Sequence, residues 1–510
     1  MSKPCWECLK RRLVCDLGRP GCQKCQSRDT ECPGYDKKPL KWLHPGQTRS
    51  KGRRAKNESN VIQLALKDTT EATTLFEAIE YCMYALLVHQ NPRSCAYSSD
   101  NVHICPDLVA NGSGATTKSP FIIPLANAPY APATIRHCLV SSALAHRILQ
   151  SEQGFEEDRA ILASRLQTYR GAAIRHLACG VKLGSEVGWN NTSGRDGRDA
   201  TLASMLVFLF AELQQSFSPN WRQHCDAAHT LIDLFGGTTQ LIQEWPWFNH
   251  LFRYFILIDI MGTVTAPAPE VDRTNRQLEY IGLLPSMYGV GLWTSLPCPP
   301  ELLADIILVN HMRATATDDP LFAQHQHSSA VDLLKRIMAF SVEDWAATIN
   351  PYPQPKSSDK TVIQRQSELL GWQRVAYIYQ SAVALYCISA LLNPERNSNN
   401  NQTAPDFDIL SLQSSCRKAL LQDLRDVASD QKSELRKYLM WPTVIAGVEL
   451  DADDDTSKAF ILEELGWASK MFGTASLLVA QDLLKRIWNS GRTKTRRWDD
   501  LFDRPYAFVM

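Results

Sequence analysis

The stretch CWECLKRRLVCDLGRPGCQKCQSRDTEC, from Cys5 to Cys32, carries six of the chain's fifteen cysteines within 28 residues. The spacing is Cys5-x2-Cys8-x6-Cys15-x6-Cys22-x2-Cys25-x6-Cys32, so C-x2-C-x6-C occurs twice, joined by DLGRPG. Each C-x2-C sets two thiols on one turn, close enough to chelate a tetrahedral ion. Two zinc ions need eight ligand positions, which six thiolates supply only when two of them bridge. The repeat symmetry points to Cys5 and Cys22 as the bridging pair. Cys8 and Cys15 would then complete one ion, Cys25 and Cys32 the other. So short a segment holds little apolar core, and below about 40 residues a fold usually needs metal or disulfides. Structural zinc contributes about 10–16 kcal/mol per ion. The competing readings are a three-disulfide knot and a redox C-x2-C.

Compartment and charge bear on that choice. MSKPCWECLKRRL has basic residues but no apolar h-region, so the chain is read as intracellular, where reduction disfavours a dense disulfide framework. The charge-free run YIGLLPSMYGVGLWTSLPCPP (280–300) holds four prolines and three glycines and would make a poor membrane helix. No membrane partner is expected. Over 510 residues, Lys and Arg balance Asp and Glu at 54 each. Residues 1–60, however, hold fifteen Lys/Arg against six Asp/Glu, a charge of +9 that leaves −9 on the rest. A basic head on an acidic body suits a chain whose first segment meets a polyanion.

The two halves of the cysteine repeat differ in charge. Lys10-Arg11-Arg12 follows Cys8, whereas Ser27-Arg28-Asp29 and then Glu31 follow Cys25. The first half is predicted to carry a short helix whose basic residues enter a groove, and the mixed second half suits backbone support. Arg and Lys reach guanine O6 and N7 in the major groove, so a G-rich half-site is the natural target. The DNA-contact candidates are Lys10, Arg11, Arg12, Arg19, Lys24 and Arg28. A merely solvated basic face is the bland alternative.

This segment resembles the fungal Zn₂Cys₆ binuclear-cluster domain of zinc-cluster transcription factors. The six-cysteine spacing matches throughout, the basic run lies between the second and third cysteines, Asp16 follows the third, and Pro20 sits in the connecting loop. The resemblance implies two Zn²⁺ per chain and double-stranded DNA as the partner. Arg11 and Arg12 would read a CGG-like triplet, with Lys10 in support. Leu9 and Val14 stand where the family often has Arg or Lys, which implies fewer phosphate contacts.

After Cys32 comes PGYDKKPLKWLHPGQTRSKGRRAKNESN, rich in Lys, Arg, Pro and Gly and without helical periodicity. Residues 37–69 are read as a flexible basic linker. Lys37, Lys38, Lys51, Arg53, Arg54 and Lys56 form a candidate nuclear import signal that can also track phosphates. A solubilising tether is the alternative. Val61, Leu64, Leu66 and Leu75 do not sustain the heptads that a coiled-coil dimer requires.

From about residue 70 the apolar spacing of three and four predicts a mostly α body extending to 510. Helices are expected over 74–90, 134–150, 155–181, 200–217, 224–235, 250–264, 330–340, 368–392, 410–428 and 459–488. Loops are expected at 96–120, 186–199, 350–360 and 393–406. LASMLVFLFAEL, then Trp221, His224 and Ala227, WPTVIAGVEL at Trp441-Pro442, and LLKRIW with Trp498 resemble the fungal-specific transcription factor domain in its second common form. That resemblance implies a regulatory role, with transcription machinery or an effector as further partners. His224, Cys225 and His229 are read as ordinary helix residues rather than metal ligands, and His325 and His327 as loop residues. No nucleophile elbow, phosphate-binding loop or dinucleotide fingerprint occurs, so an enzyme is not expected.

The sequence therefore describes a small N-terminal two-zinc unit (1–36), a basic linker (37–69) and a large all-α regulatory body (70–510). The expected function is a nuclear, DNA-binding transcription regulator of metabolic or secondary-metabolite genes. The rival is a protein-interaction or effector-binding regulator whose cluster does not bind DNA, supported by Leu9 and Val14.

Overall fold

The computed structural model describes residues 4–11, 13–28, 30, 32, 34, 130–150, 156–189, 197–215, 220–288, 297–316, 319–349, 362–392, 408–430, 434–451, 453–490 and 497–509. They fall into two units, divided at residue 67, each described by itself. Among the described residues there are helices and no strand. The helix expected at 74–90, the linker and most of the loops expected at 96–120, 350–360 and 393–406 lie outside the described residues.

The first unit has two short helices, α1 (Trp6–Arg11) and α2 (Gln23–Gln26), each starting directly after a repeat-leading cysteine. Its buried apolar residues are the thiols of Cys5, Cys8, Cys22 and Cys25, with Leu13, Cys15 and Cys32 partly buried against them. No aliphatic core of ordinary size exists among its described residues.

The second unit is built from α3 (Ala133–Gln150), α4 (Glu156–Val187), α5 (Arg198–Gln215), α6 (Trp221–Leu234), α7 (Thr238–Glu244) and α8 (Asn249–Val264). Then follow α9 (Val271–Tyr280), α10 (Leu284–Tyr288), α11 (Pro300–Ala314), α12 (Pro320–Met338) and α13 (Val342–Ile349). The last are α14 (Val362–Cys387), continued by a π turn at Ile388–Leu392, then α15 (Ile409–Ser429), α16 (Met440–Val448), α17 (Asp455–Phe472) and α18 (Ser476–Asn489). One contiguous core runs through these elements, from Ile135 to Val509.

Most expected helices are present within a few residues. However, α12, expected from 330, begins at Pro320 and so places His325 and His327 on a helix rather than in a loop. Two further kinds of departure occur. The pattern over 459–488 reads as one helix but forms two, α17 and α18. Gly473 between them adopts φ 61 and closes α17 with a left-handed cap. A Cβ there would overlap His146, so both conformation and space demand glycine. The other departure is the set α7, α9, α10, α11, α13 and α16, which the apolar pattern did not single out. Several are short; α11 and α16 are buried on most sides, which blurs a stripe. The segment Leu369–Leu392 is long and apolar enough to cross a membrane by length and composition, yet 72% of its most apolar window is buried inside the body.

Buried charges tie the body together. The Arg313 guanidinium, almost wholly buried, donates to the carbonyls of Thr263 (3.0 Å) and Ala266 (2.8 Å) and to Tyr386 Oη (2.8 Å), and it pairs with Asp499. It thereby caps the C-terminal end of α8, where the orphan carbonyls and the helix dipole favour a cation. Trp498 Nε1 donates to the Val264 carbonyl at 2.8 Å, and Tyr506 N to the Thr265 carbonyl at 2.9 Å. Arg170 grips Glu212 with two bonds of 2.6 and 2.7 Å.

Candidate metal centre and nucleic-acid interface

The sequence repeat is a repeat in three dimensions. Cys5 and Cys22 stand 17 residues apart, and the same offset relates Cys8 to Cys25 and Cys15 to Cys32. Backbone bonds follow it: Leu9 N donates to the Cys5 carbonyl at 2.9 Å as Gln26 N does to Cys22 at 3.2 Å. Leu13 N to the Cys8 carbonyl (2.9 Å) matches Thr30 N to Cys25 (3.1 Å). The Cys15 thiol faces the N–H groups of Cys5 and Leu17, and the Cys32 thiol those of Cys22 and Gly34. Leu17 and Gly34, again one offset apart, both have positive φ, 60 and 80.

The thiols converge. Cys5 Sγ lies 3.6 Å from Cys22 Sγ and 3.8 Å from Cys25 Sγ, and Cys8 Sγ lies 3.7 Å from Cys22 Sγ. Zn–S bonds of about 2.3 Å at tetrahedral angles separate neighbouring sulfurs by about 3.8 Å, so these spacings fit an ion without rearrangement. Cys5 and Cys22 adjoin thiols of both halves. Gly21 permits part of this packing: a Cβ there would come within 3.1 Å of Cys32 Cβ. Burial pushes the Cys25 thiol up to about 12, with Cys22 and Cys5 adding to the rise. Against burial, which would raise it, backbone N–H groups bring Cys15 down to about 7. The backbone N–H groups of Cys22 and Gly34 also lower Cys32.

Asp16 is a part that the sequence reading left without a role. Its carboxylate accepts from Gln23 N (3.0 Å) and Lys24 N (3.3 Å), capping α2 from seven residues upstream. These bonds, that from Gln23 foremost, lower its pKa. It lies close enough to Cys15 and Cys22 to resemble a second type of ligand, but its oxygens already serve the helix.

The basic candidates distribute unevenly. Arg11, at the end of α1, is engaged by Glu7 one turn earlier through a 2.6 Å bond to Nε, leaving its terminal nitrogens for another partner. Lys10 lies on α1, Lys24 on α2 and Arg28 just beyond it, while Arg19 is exposed in the connecting loop before a cis bond to Pro20. Leu9 is 51% exposed and Val14 88% exposed, so neither is withdrawn into the unit. Arg12 lies outside the described residues, as do Lys37, Lys38, Lys51, Arg53, Arg54 and Lys56.

Residues 101–509 match the fungal specific transcription factor domain, and residues 3–41 match the fungal Zn(2)-Cys(6) binuclear cluster domain. The chain belongs to the fungal zinc-cluster transcription factor family. It is 28% identical to the phomenoic acid biosynthesis cluster-specific transcriptional regulator of Leptosphaeria maculans, over all of this chain and 89% of that one. Over 43 residues, 8% of this chain and 5% of the relative, it is 46% identical to arginine metabolism regulation protein II of Saccharomyces cerevisiae. It is 33% identical over 70 residues to pestheic acid cluster transcriptional regulator 3 of Pestalotiopsis fici, covering 14% and 11% of the two chains. No solved structure matches. As a zinc-cluster transcription factor the chain is a zinc-binding regulator of transcription, and its family is not one of enzymes.

The body holds a second cluster with ligand-like atoms, Cys225, His229 and Asp259, all buried. Arg273 donates to Asp259 Oδ1 at 2.6 Å and approaches Cys225 Sγ at 3.9 Å, while Gln277 donates to Asp259 Oδ2 at 3.2 Å. Burial opposes ionisation of Asp259, yet His229, Arg273 and Arg222 hold it below the usual carboxylate range. With the carboxylate answered by a guanidinium, a divalent cation would meet like charge. With Arg273 paired to both Asp259 and Asp226, the cluster is a buried ion pair of the core.

Proposed function

We propose that this chain is a nuclear, pathway-specific transcription regulator that reads a CGG-like element through a binuclear cluster of two Zn²⁺. Its six ligands are Cys5, Cys8, Cys15, Cys22, Cys25 and Cys32, with Cys5 and Cys22 bridging. The observation that carries this reading is the 3.6–3.8 Å convergence of thiols from both halves of the repeat, directly beneath a helix bearing Lys10 and Arg11. Bound zinc supplies the crosslinks that hold α1 and α2 in place. The protein's own residues then do the reading, with Arg11 and Arg12 at guanine edges and Lys10, Arg19, Lys24 and Arg28 in support.

The reading extends to organisation. Residues 1–36 bind DNA, 37–69 form a basic linker whose Lys37, Lys38, Lys51, Arg53, Arg54 and Lys56 serve import, and 70–510 regulate. The full-length similarity to a cluster-specific regulator supports control of one biosynthetic gene set. A second reading, a protein-interaction regulator with a DNA-incompetent cluster, draws on exposed Leu9 and Val14 and on the Arg11–Glu7 pair.

The deciding experiment is selection of bound duplexes from a random pool by the zinc-loaded full chain at a fixed salt concentration, since nonspecific affinity falls steeply with salt. A CGG-like consensus that relaxes at one position in Arg11→Ala or Arg12→Ala supports the first reading. That relaxation corresponds to about 1–3 kcal/mol of base discrimination. No enrichment from a chain holding two zincs would overturn it in favour of the second.

A further inference from the structure

A cavity of about 260 Å³ opens among the first turn of α3, the later turns of α4 and the start of α5. Thr134, Thr201 and Ser204 line it, each only 4% exposed. Their hydroxyls make no side-chain hydrogen bond among the described residues. Polar groups on residues so buried normally have partners, so three of them on one cavity leave a place for a ligand's acceptor atoms. Arg136 also lines it, and no Asp or Glu does. The N-terminus of α3, an 18-residue helix beginning at Ala133, adds free N–H groups and a positive dipole end at the same wall. The remaining lining includes Leu177 and Leu183 of α4.

Hydroxyl donors, a guanidinium and a helix N-terminus select an anion with several acceptor oxygens. The leucines select an apolar tail beside it. We propose that this cavity binds a small aliphatic carboxylic acid, its carboxylate toward Arg136, Thr134, Thr201 and Ser204 and its chain along Leu177 and Leu183. The site is separate from the metal centre and does not depend on how the cluster reads DNA.

Hexanoate is the probe, presented to the zinc-loaded full chain and followed by saturation-transfer NMR and by the melting temperature. Saturable binding is expected, with 1-hexanol at least about tenfold weaker because it lacks the charge. Arg136→Gln should weaken hexanoate by about tenfold. Gly180→Leu fills the cavity: Gly180 also lines it, and a Cβ there would meet nothing closer than Thr201 Oγ1 at 3.9 Å. That variant should abolish binding while its helical spectrum stays that of the parent. Absence of saturable binding to the parent chain, equal binding of 1-hexanol, or undiminished binding in folded Gly180→Leu would each overturn the proposal. If either variant fails to fold, the comparison of hexanoate with 1-hexanol on the parent still decides.

Discussion

The two units of this chain solve the same problem with different materials. In the first, the buried centre is sulfur: four cysteines and little else. In the second, an apolar core extends from Ile135 to Val509 and is threaded by satisfied ion pairs such as Arg313 with Asp499. The first has thiols where an apolar core would stand and depends on an ion to hold them; the second has an apolar core of its own. A single chain thus joins a thiol-centred unit to one centred on apolar side chains.

Removal of zinc should break that comparison most visibly. A chelator is expected to unfold the first unit, withdrawing about 10–16 kcal/mol of binding free energy per ion. The helical circular dichroism of the body and its melting temperature should persist. A body that melts together with the cluster would show that the units are not energetically separate. Next in size is Arg313→Met, which leaves carbonyls at the end of α8 and the Asp499 carboxylate without their donor. It should cost the body about 3–5 kcal/mol in denaturant titration and leave zinc content unchanged.

Gly473→Ala probes the junction of α17 and α18, where a left-handed conformation and the overlap with His146 act together. The expected loss is about 2–3 kcal/mol, read from the same titration. The smallest expected effect sharpens the comparison within the first unit. Leu17 holds the positive φ that its repeat partner Gly34 adopts freely. Leu17→Gly should therefore stabilise the zinc-loaded unit by up to about 1 kcal/mol, seen as slower zinc loss to a competing chelator. Faster loss would mean that the leucine side chain contributes more by packing than its backbone costs.

What could be read from sequence follows from how local each signal is. The cysteine spacing is local, and the repeat it implies reappears in the backbone bonds. The Glu7–Arg11 pair was equally legible, being one helical turn apart, yet it passes unnoticed when only the basic residues are counted. Asp16 as the cap of α2 was not legible, because the loop between them must fold first. Residues 459–488 misled because their apolar period continues across Gly473, so one glycine outweighed thirty residues of pattern. The Cys225, His229 and Asp259 group joins α6 to α8, and Arg313 joins α11 to α8 and to the segment at Asp499. No window of sequence holds both ends of such contacts.

The ties at the end of α8 have a consequence for how the chain is made. The thiol contacts of the first unit link residues 14 to 20 positions apart, so they can close as soon as that segment is synthesised. Trp498 meets the Val264 carbonyl across 234 positions, and Thr265 meets Tyr506 across 241. Arg313 can cap Thr263, Val264 and Ala266 about fifty residues after they are made, but the Thr265 carbonyl lacks its Tyr506 partner and Val264 its Trp498 partner until the end of the chain arrives. The metal-holding unit can therefore mature early on the ribosome, while the body must be shielded from aggregation through more than half of its synthesis.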